Sequence, residues 1–400
     1  MTPTTEQGVI EAIQQAHATN EPLAIAGRNS KQGLLRPVQA ARTLSTAALT
    51  GITLYSPSEL IIAARAGTPL TEIEAALAEK GQHLIAEPPD FTALFGHAQP
   101  QTIGGIVSAN LSGPRRIAWG ATRDHVMGVR AINGTGEQIR SGGRVLKNVT
   151  GLDLCKLLTG SHGTLAVLTE VTLKVLPAPE QTATLILRNL PPARAVAALS
   201  AALGSPYAVS AAAHLPAAQA ALIPGIGPQS AWGPATLARI EDFAPSVTYR
   251  SARLRADLAE YGQADILDHQ TSRTAWAAIR DAAPLAGLQG AIWRISVRPS
   301  QAPAIVEALE RSFGAAWFLD WGGGLIWIAG PATTETHTEI AHAAQTAGGT
   351  HTLFRAPETL RAAVAVVPPE PPALARITRN VKAAFDPRGI LNPGRIHAGL

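Results

Sequence analysis

The sequence predicts an α+β fold built around more than one hydrophobic core. Stretches with apolar residues at helical spacing, such as residues 7–17, share the chain with short β-branched runs, such as residues 182–188. The chain has 400 residues, of which 46% are hydrophobic and 16% are charged. This composition is typical of a globular protein with two or three cores and excludes a disordered chain.

Charge and cysteine content exclude several function classes. Lys and Arg number 33 against 29 Asp and Glu, so the net charge of +4 offers no basic face for nucleic acid. The single cysteine, Cys155, excludes a disulfide framework and an iron–sulfur cluster held by this chain alone, and it favours a reducing compartment. The N-terminus lacks a signal-peptide pattern, and no run reaches the roughly 18 apolar residues of a membrane helix. We therefore expect a cytoplasmic protein with no integral membrane segment.

The first half of the chain contains helices and strands whose ends are marked by capping and turn residues. A helix is predicted at residues 7–17, and strands are predicted at PLAIAG and ELIIAARAG. The segment TPLTEIEAALAEKG predicts a helix with Thr68 as its N-cap and Pro69 as its first residue. Gly134 and Gly136 mark the turn of a hairpin between β-branched runs. The run that ends in KVLP closes this part of the chain.

The second half of the chain predicts a ferredoxin-like cap of split βαβ units. Six of the seven tryptophans lie after residue 230, which indicates a change of domain. TATLILR, ARAVAALSAAL and YAVSAAAHL form one strand–helix–strand unit, and the segment from ATLARIE to AIWRISVRP indicates a second. The run AAWFLDWGGGLIWIAG predicts a hairpin that turns at residues 322–324. The predicted domains are residues 1–179, residues 180–370 and a C-terminal segment, residues 371–400.

Two turns rich in small residues indicate a site for a large ligand. AGRNSK at 26–31 follows a strand, and TIGGIVSAN at 102–110 has small residues whose backbone amides a pyrophosphate can approach. A tight structural corner explains TIGGIVSAN equally well. Neither turn matches the G-x-G-x-x-G or the G-x-x-x-x-G-K-[ST] pattern, so Rossmann and P-loop sites are poor explanations.

An ordered set of motifs carries a resemblance to a known family. AGRNSK, TIGGIVSANLSGPRR, WGATRDHV, KNVTGLDL, GSHGTLAV and FDPRGILNPGRI follow one another along the chain. The set resembles the FAD-linked oxidases of the vanillyl-alcohol-oxidase type, and LSGPRR with KNVTGLDL is most similar to the FAD-binding subunits of bacterial glycolate oxidases. The resemblance implies a PCMH-type FAD-binding domain of two α+β subdomains, below the ferredoxin-like α+β cap. It covers residues 7–177 densely and residues 371–400 clearly.

The resemblance also implies which residues hold FAD. The first turn and the glycine corner would hold the pyrophosphate, ATRDHV would lie along the ribityl side, and GSHGTLAV would meet the adenine end. The implied cofactor-binding residues are Gly27, Arg28, Asn29, Ser30, Lys31, Thr102, Gly104, Gly105, Ser108, Ala109, Thr122, Arg123, Asp124, Gly160, Gly163 and Val167. Arg28 and Lys31 would pair with the phosphates, although solvated turn residues are the alternative.

The FAD is expected to be non-covalent. Some members of the family attach FAD through a histidine in the first turn, and AGRNSK contains none. Cys155 lies in a predicted helix and is interpreted as a core residue rather than as an attachment point.

Four arginines are candidates for binding a substrate carboxylate. Oxidation of a 2-hydroxy acid on a flavin needs such a cation and a base for the hydroxyl proton. Arg115 and Arg116 follow the glycine corner, and contacts with the cofactor or a partner are their alternative role. Arg294 and Arg298 alternate with apolar residues on a predicted strand, so both would lie on one face, towards a site or towards solvent. The eleven histidines give no base and no metal-binding spacing.

Two functions of different classes follow from the resemblance. In the preferred one, the chain is the FAD-binding subunit of a complex that oxidises glycolate, or a similar small 2-hydroxy acid, to glyoxylate. A catalytic FAD-linked oxidase subunit and an iron–sulfur subunit would be its partners, and only they would bring it to the inner membrane. The alternative is a stand-alone dehydrogenase of the D-lactate type, and a flavin-free structural subunit is more remote. AAWFLDWGGGLIWIAG stands where the family's catalytic subunits carry a His-rich motif, and its Trp and Leu side chains are a candidate partner patch.

Overall fold

The computed structural model describes residues 1–143, 152–226 and 233–400. Within these residues the strands form a parallel pair, a six-stranded sheet and an eight-stranded sheet. Most of the KNVTGLDL motif lies outside the described residues. None of the helices in the described ranges combines the length and the apolar character needed to span a bilayer.

The first half of the chain forms the parallel pair and the six-stranded sheet. Its elements in chain order are α1 Glu6–Thr19, β1 Leu23–Ala26, β2 Arg42–Ser45, β3 Ile52–Ser56, β4 Ile61–Arg65, α2 Leu70–Ala78, β5 Gln82–Leu84, α3 Thr92–Phe95, α4 Ile103–Ser108, α5 Arg116–Trp119, α6 Thr122–His125, β6 Val126–Asn133, β7 Gln138–Gly142, α7 Leu154–Leu158 and β8 Ala166–Pro177. β1 pairs with β2, and the larger sheet has the order β3-β4-β8-β6-β7 with β5 on β8. The hairpin predicted around Gly134 and Gly136 is the β6–β7 pair.

The N-cap predicted for α2 is wrong, although the apolar face of this helix is correct. Leu70, Ile73 and Leu77 are buried, as their spacing predicts. Pro69 occupies the N-cap position, and no side chain caps the helix. The Thr68 hydroxyl instead accepts a hydrogen bond from the amide of Gly51 at 3.0 Å. The Thr68 hydroxyl therefore makes a tertiary contact with the turn at Gly51 in place of a capping hydrogen bond to α2.

The second half of the chain forms the eight-stranded sheet and the helices that cover it. Its elements are β9 Gln181–Arg188, α8 Pro192–Gly204, β10 Ala211–Leu215, α9 Ala217–Ala220, β11 Ala235–Asp242, α10 Ala244–Asp257, β12 Ala264–Leu267, α11 His269–Arg280, α12 Ala283–Ala286, β13 Ala291–Ser296, α13 Ala302–Phe313, β14 Ala316–Asp320, β15 Leu325–Gly330, α14 Thr334–Thr346, β16 Thr350–Arg355, α15 Glu358–Ala363 and α16 Pro372–Phe385. The strand order is β12-β9-β11-β10-β14-β15-β13-β16.

This strand order consists of two ferredoxin-like units placed edge to edge. Each unit runs strand–helix–strand–strand–helix–strand, and its strands lie in the order fourth, first, third, second. The units join where β10 pairs with β14, at His214 and Leu319. The ferredoxin-like cap is therefore confirmed, with two complete units in one sheet.

Two expectations for the second half of the chain are wrong. β13 ends at Ser296, so Arg298 lies beyond the strand, is exposed and does not share a face with Arg294. The hairpin at residues 315–330 occupies the middle of the sheet, between β10 and β13. Both sides of a central strand pair are covered, so Trp317 and Trp327 are each only 3% exposed and form no partner patch.

The C-terminal segment returns to the first half of the chain. Leu391 forms a parallel bridge with Leu23, and the Leu23 amide donates to the Ile390 carbonyl at 2.7 Å. The change of sheet falls between Pro177 and Gln181. The division into domains at residues 179 and 370 stays an interpretation of this layout.

Candidate functional site

A cavity of about 500 Å³ lies where the first half of the chain meets α15 and the C-terminal segment. The first half contributes β1 with the turn after it, the region of β2, α4, residues 162–168 and the separate side chains of Ala66, Phe95 and His97. The second half contributes Glu358 and Arg361, and the C-terminal segment contributes Asn392 and Arg395. This cavity therefore gathers segments that are far apart in the sequence.

The turn at residues 28–31 presents backbone amides to the cavity. Within the described residues, the amides of these four positions have no hydrogen-bond acceptor. Asn29 has a φ of 61°, the left-handed conformation that asparagine tolerates better than most residues. Successive free amides in such a turn make a concave site for an anion.

Four cations line the cavity: Arg28, Lys31, Arg361 and Arg395. None of them forms an ion pair with a carboxylate of the described residues. Burial lowers the pKa of the Lys31 ammonium to about 8, against a smaller opposing effect of Asp90. Burial, with a smaller contribution from the charge of Arg361, also lowers the pKa of Arg395 to about 10. Cations held in this way are stabilised by a bound anion.

The glycine corner forms the start of α4. Thr102 is its N-cap, and the Thr102 hydroxyl accepts from the Gly105 amide at 3.3 Å. A Cβ added to Gly105 would lie 3.5 Å from Lys31 Nζ, so this position faces the cavity beside the ammonium. Gly104 is different, because its amide donates to the Ala66 carbonyl at 2.8 Å and an added Cβ would lie 2.6 Å from the Ala66 Cβ. The missing side chain of Gly104 therefore permits close packing against Ala66, and the Gly104 amide is not free to bind a ligand.

The C-terminal segment fastens two walls of the cavity together. The Asn392 side chain accepts from the Ile25 amide at 2.7 Å and donates to the His162 carbonyl at 2.8 Å. Arg395 donates to the Lys31 carbonyl and to the Arg36 carbonyl, both at 2.9 Å. These contacts hold the turn after β1 in place from outside.

A network of buried charges joins the first half of the chain to the eight-stranded sheet. Its members are His83, Glu87, Arg115, Ser210, Arg239 and Glu241. Arg115 forms a bidentate ion pair with Glu241, with N–O distances of 3.0 and 2.7 Å. Arg239 forms a bidentate ion pair with Glu87, with both N–O distances at 2.9 Å. Burial opposes ionisation of Glu241, but the charges of Arg239 and Arg115 outweigh burial and lower its pKa.

Comparisons with known proteins place this architecture in a family. Residues 1–142 match the FAD binding domain, and residues 370–396 match the C-terminal domain of FAD linked oxidases. The chain is 35% identical over 395 residues to the glycolate oxidase subunit GlcE of Escherichia coli strain K12, and the match covers 98% of both proteins. The chain belongs to the GlcE family of FAD-linked oxidases.

Two further relatives match shorter parts of the chain. The glycolate oxidase subunit GlcD of Bacillus subtilis strain 168 is 40% identical over 99 residues, which is 25% of this chain and 20% of GlcD. The D-lactate dehydrogenase of Anaerostipes hadrus is 29% identical over 185 residues, which is 46% of this chain and 37% of that enzyme.

Solved structures show the same fold. The 4-ethylphenol oxidase of Gulosibacter chungangensis superposes with a TM-score of 0.76 at 14% identity, covering 100% of this chain and 89% of that one. The p-cresol methylhydroxylase superposes with a TM-score of 0.74 at 13% identity, covering 100% and 88%. The predicted fold class, a PCMH-type FAD-binding domain with an α+β cap, is therefore confirmed.

The cavity residues of this GlcE-family chain fit FAD. The match of residues 1–142 confirms FAD as the cofactor that the motifs predict. A pyrophosphate carries two negative charges and many acceptor oxygens, and the free amides of residues 28–31 with the unpaired ammonium of Lys31 match both properties. Non-covalent attachment stays a prediction.

The structure brings most of the predicted cofactor residues together. The predicted residues in the cavity wall are Gly27, Arg28, Asn29, Ser30, Lys31, Thr102, Gly104, Gly105, Ser108, Ala109, Gly163 and Val167. Thr122, Arg123, Asp124 and Gly160 lie outside this wall. The amides of Thr122 and Arg123 donate to Ser112 Oγ at 2.9 Å and Asn110 Oδ1 at 3.0 Å, so they support the segment after α4. The role of each of these residues towards FAD stays a prediction.

Sequence reasoning missed several residues of the cavity wall. They include Phe95, His162, Glu358, Arg361, Asn392 and Arg395. GSHGTLAV contains His162, and FDPRGILNPGRI contains Asn392 and Arg395. Both motifs therefore indicate an FAD site, but their sequences do not show which of their residues reach the cavity. Nothing in the sequence around Glu358 and Arg361 marks them, because α15 reaches the cavity only through the fold.

The four candidate arginines have different surroundings. Arg115 already forms an ion pair with Glu241. Arg298 is exposed beyond β13. Arg116 and Arg294 both lie against the ring of Trp321, with the guanidinium carbon 4.6 and 5.3 Å from the ring centroid.

Proposed function

We propose that the chain is the FAD-binding subunit of a glycolate oxidase complex that oxidises glycolate to glyoxylate. The observation that carries the proposal is its 35% identity with GlcE over 98% of both chains. A catalytic FAD-linked oxidase subunit and an iron–sulfur subunit would be the partners, and the GlcD relative supports an enzyme of several subunits. The single cysteine of the chain supports an iron–sulfur cluster held elsewhere.

Residues of the cavity would hold FAD in this subunit. The amides of residues 28–31 and the Lys31 ammonium would bind the pyrophosphate, with Arg28 as a second charge partner. Asn392 and Arg395 would keep the turn and the His162 loop at a fixed separation. Bound FAD supplies a two-electron acceptor for the substrate hydride. Glu358 and Arg361 would close the cavity from the cap side.

A stand-alone dehydrogenase of small 2-hydroxy acids is the second candidate function. The 29% identity with a D-lactate dehydrogenase over 46% of this chain favours it, and so do the two arginines at Trp321, which form no ion pair within the described residues. A flavin-free structural subunit is less well supported, because free amides and unpaired cations are retained in the cavity.

The test is a visible spectrum of the purified full chain, followed by anaerobic addition of glycolate and then D-lactate. The subunit proposal expects bound flavin that stays oxidised with this chain alone and bleaches once the other subunits of the enzyme are added. Bleaching of the chain alone would favour the stand-alone dehydrogenase. A folded protein without flavin, even after incubation with FAD, would contradict both.

A further inference from the structure

Arg294 is a half-buried cation on the face of the eight-stranded sheet that packs against the first half of the chain, and no carboxylate of the described residues pairs with it. Its side chain forms no hydrogen bond and no ion pair within the described residues. The guanidinium carbon lies 4.9 Å from the ring centroid of Trp327 and 5.5 Å from that of Phe354. Removal from water lowers the pKa of Arg294 to about 10, and the nearby charge of Arg116 contributes to this shift. The five N–H donors of Arg294 thus have no acceptor among the described residues and lie in apolar surroundings.

Arg116 approaches the same place from the opposite half of the molecule. It opens α5, directly after the segment that follows the glycine corner, and it is half-buried. Its side chain also forms no hydrogen bond and no ion pair with a described residue. Two like charges that share one aromatic neighbour repel each other, and a shared anion removes that repulsion.

Trp321 lies beside both Arg116 and Arg294, and its own backbone conformation is strained. Its φ is 53°, a left-handed conformation that is an outlier for a bulky residue and costs roughly 1–3 kcal/mol. Its indole Nε1 donates to the Gly113 carbonyl at 3.2 Å, which fixes the ring against the segment between the glycine corner and Arg116. Strained residues that are held by their surroundings cluster at ligand sites.

Two carboxyl groups act electrostatically on these cations, Asp320 on Arg294 and Asp124 on Arg116, and neither forms an ion pair with them. Asp320 is 3% exposed, and its Oδ1 accepts from the Trp321 amide at 2.7 Å. Burial raises the pKa of Asp320 to about 7, and the charge of Glu87 acts in the same direction, so the group is largely uncharged below neutral pH. Because no described carboxylate pairs directly with Arg294 or Arg116, the N–H donors of both guanidinium groups stay available to an external anion.

We propose that Arg294 and Arg116, with Trp321 between the two halves of the molecule, bind the carboxylate of a small organic acid. The planar fork of Arg294 suits a bidentate carboxylate, and the rings of Trp327 and Phe354 hold that fork in one orientation. The assignment of a 2-hydroxy acid to this site rests on the part of the proposed function that both candidates share, the oxidation of a small 2-hydroxy acid. The anion subsite itself rests on the two unpaired arginines.

Calorimetric titration of the full FAD-loaded chain tests this subsite. The probes are glycolate and glycolamide, which have the same size and hydroxyl group but differ in charge. We expect glycolate to bind and glycolamide to give no heat. Arg294→Met keeps an unbranched side chain over the aromatic rings and removes the donors, so glycolate affinity should fall at least tenfold. Arg294→Lys should recover part of that loss.

Arg298→Met is the matched control, because Arg298 is exposed beyond the same strand. It should bind glycolate as the unmodified chain does. Arg116→Met provides a second variant if Arg294→Met does not fold, and it should also weaken glycolate binding. Equal affinity in the unmodified chain and in both site variants, or equal binding of glycolamide, would overturn the subsite. Flavin content, read from the visible spectrum of each sample, reports separately on the proposed function.

Discussion

Lys31 is the residue whose charge should depend most on the cofactor. Ser30 Oγ, at 3.3 Å, is its one hydrogen-bond partner within the described residues, and burial lowers the pKa of its ammonium to about 8. A lowered pKa means that the charged form is present below about pH 8 and is lost above it. A bound pyrophosphate favours the charged form, so FAD binding should take up a proton in this range. We expect the affinity of the apoprotein for FAD, measured by flavin fluorescence, to fall as the pH rises above about 8.

Two variants isolate the contribution of Lys31 to this pH dependence. Lys31→Arg keeps a cation that does not titrate in this range, so its FAD affinity should be nearly independent of pH. Lys31→Met removes the charge, so its affinity should be low at every pH. If Lys31→Arg showed the same decline as the unmodified chain, another group would be responsible for it.

Gly105 tests the position of the pyrophosphate. A Cβ there would lie 3.2 Å from Thr102 Oγ1 and 3.5 Å from Lys31 Nζ, so the outer atoms of a leucine would occupy the cavity beside the ammonium. We expect Gly105→Leu to purify without yellow colour and with an unchanged far-ultraviolet circular dichroism spectrum. Gly204→Leu is the control, because a Cβ added there meets nothing within 4 Å. Normal flavin content in Gly105→Leu would contradict the assignment.

At the scale of single residues, the sequence predicts the amides and cations that lie close together along the chain. Small residues mark the two turns, and Lys31 follows directly in one of them. Gly104 shows the limit of this reasoning, because a small residue that packs against Ala66 looks the same in the sequence as one that faces a ligand. Arg115 shows another limit, because its partner Glu241 lies 126 positions away.

At the scale of elements, the charge network should be a main support of the contact between the first half of the chain and the sheet. The Arg239 side chain is 2% exposed and pairs with both Glu87 and Glu241. Removal of one partner from a buried ion pair leaves an uncompensated charge. We therefore expect Arg239→Met to lower the free energy of unfolding by about 3–5 kcal/mol in urea titration.

The control for Arg239→Met is a salt bridge at the surface. Lys156 pairs with Asp153 at 3.5 Å, and both side chains are more than half exposed, at 56% and 52%. Lys156→Met should change the free energy of unfolding by less than about 1 kcal/mol. Equal effects of the two substitutions would mean that the buried network contributes little to holding the halves together.

The sequence predicts the elements that carry a strong apolar period, but it does not predict the short strands at the edges of the sheet. α2 and the β14–β15 hairpin follow directly from their patterns, because their buried faces are defined locally. β12 and β16 lie at the two edges of the eight-stranded sheet. β12 has only four residues, and two of them are exposed, so its sequence shows no clear alternation. Without β12 and β16, the sequence could not show that each ferredoxin-like unit is complete.

At the scale of the whole molecule, the C-terminal segment should control how tightly FAD is held. Asn392 joins the Ile25 amide to the His162 carbonyl through its side chain. Loss of these contacts in Asn392→Ala should raise the dissociation constant of FAD by about tenfold, since two hydrogen bonds contribute roughly 1–3 kcal/mol together. The measurement is equilibrium dialysis of FAD against the full-length variant.

A contact of the same segment outside the cavity provides the control. Arg388 donates to the carbonyls of His17 and Ala18 at the end of α1. Arg388→Ala should leave the FAD dissociation constant unchanged while it lowers the melting temperature slightly. If both variants lost FAD to the same extent, general loosening of the segment would explain the result better than the specific contacts of Asn392.

The sequence predicts the outline of the fold, an FAD-binding domain with a cap and a returning C-terminal segment, because the motifs occur in a fixed order. The sequence could not show that Arg361 from the second half of the chain and Arg395 from the C-terminal segment meet at one cavity with Lys31. Their guanidinium groups donate to backbone carbonyls of residues 31–36, and such contacts leave no pattern in the residue types. Only the fold brings these residues together.

The position of Asn392 and Arg395 in the cavity wall has a consequence for biosynthesis. The turn at residues 28–31 leaves the ribosome early, but the segment that fastens it follows more than 350 positions later, as the spacing of 367 residues between Ile25 and Asn392 shows. While these positions are being synthesised, a nascent chain would expose the amides that we propose to bind the pyrophosphate before the cavity around them can form. We therefore expect tight loading of the cofactor only after Asn392 and Arg395 have emerged, so the supply of FAD in the cell would act on chains in which both parts of the cavity wall are already synthesised.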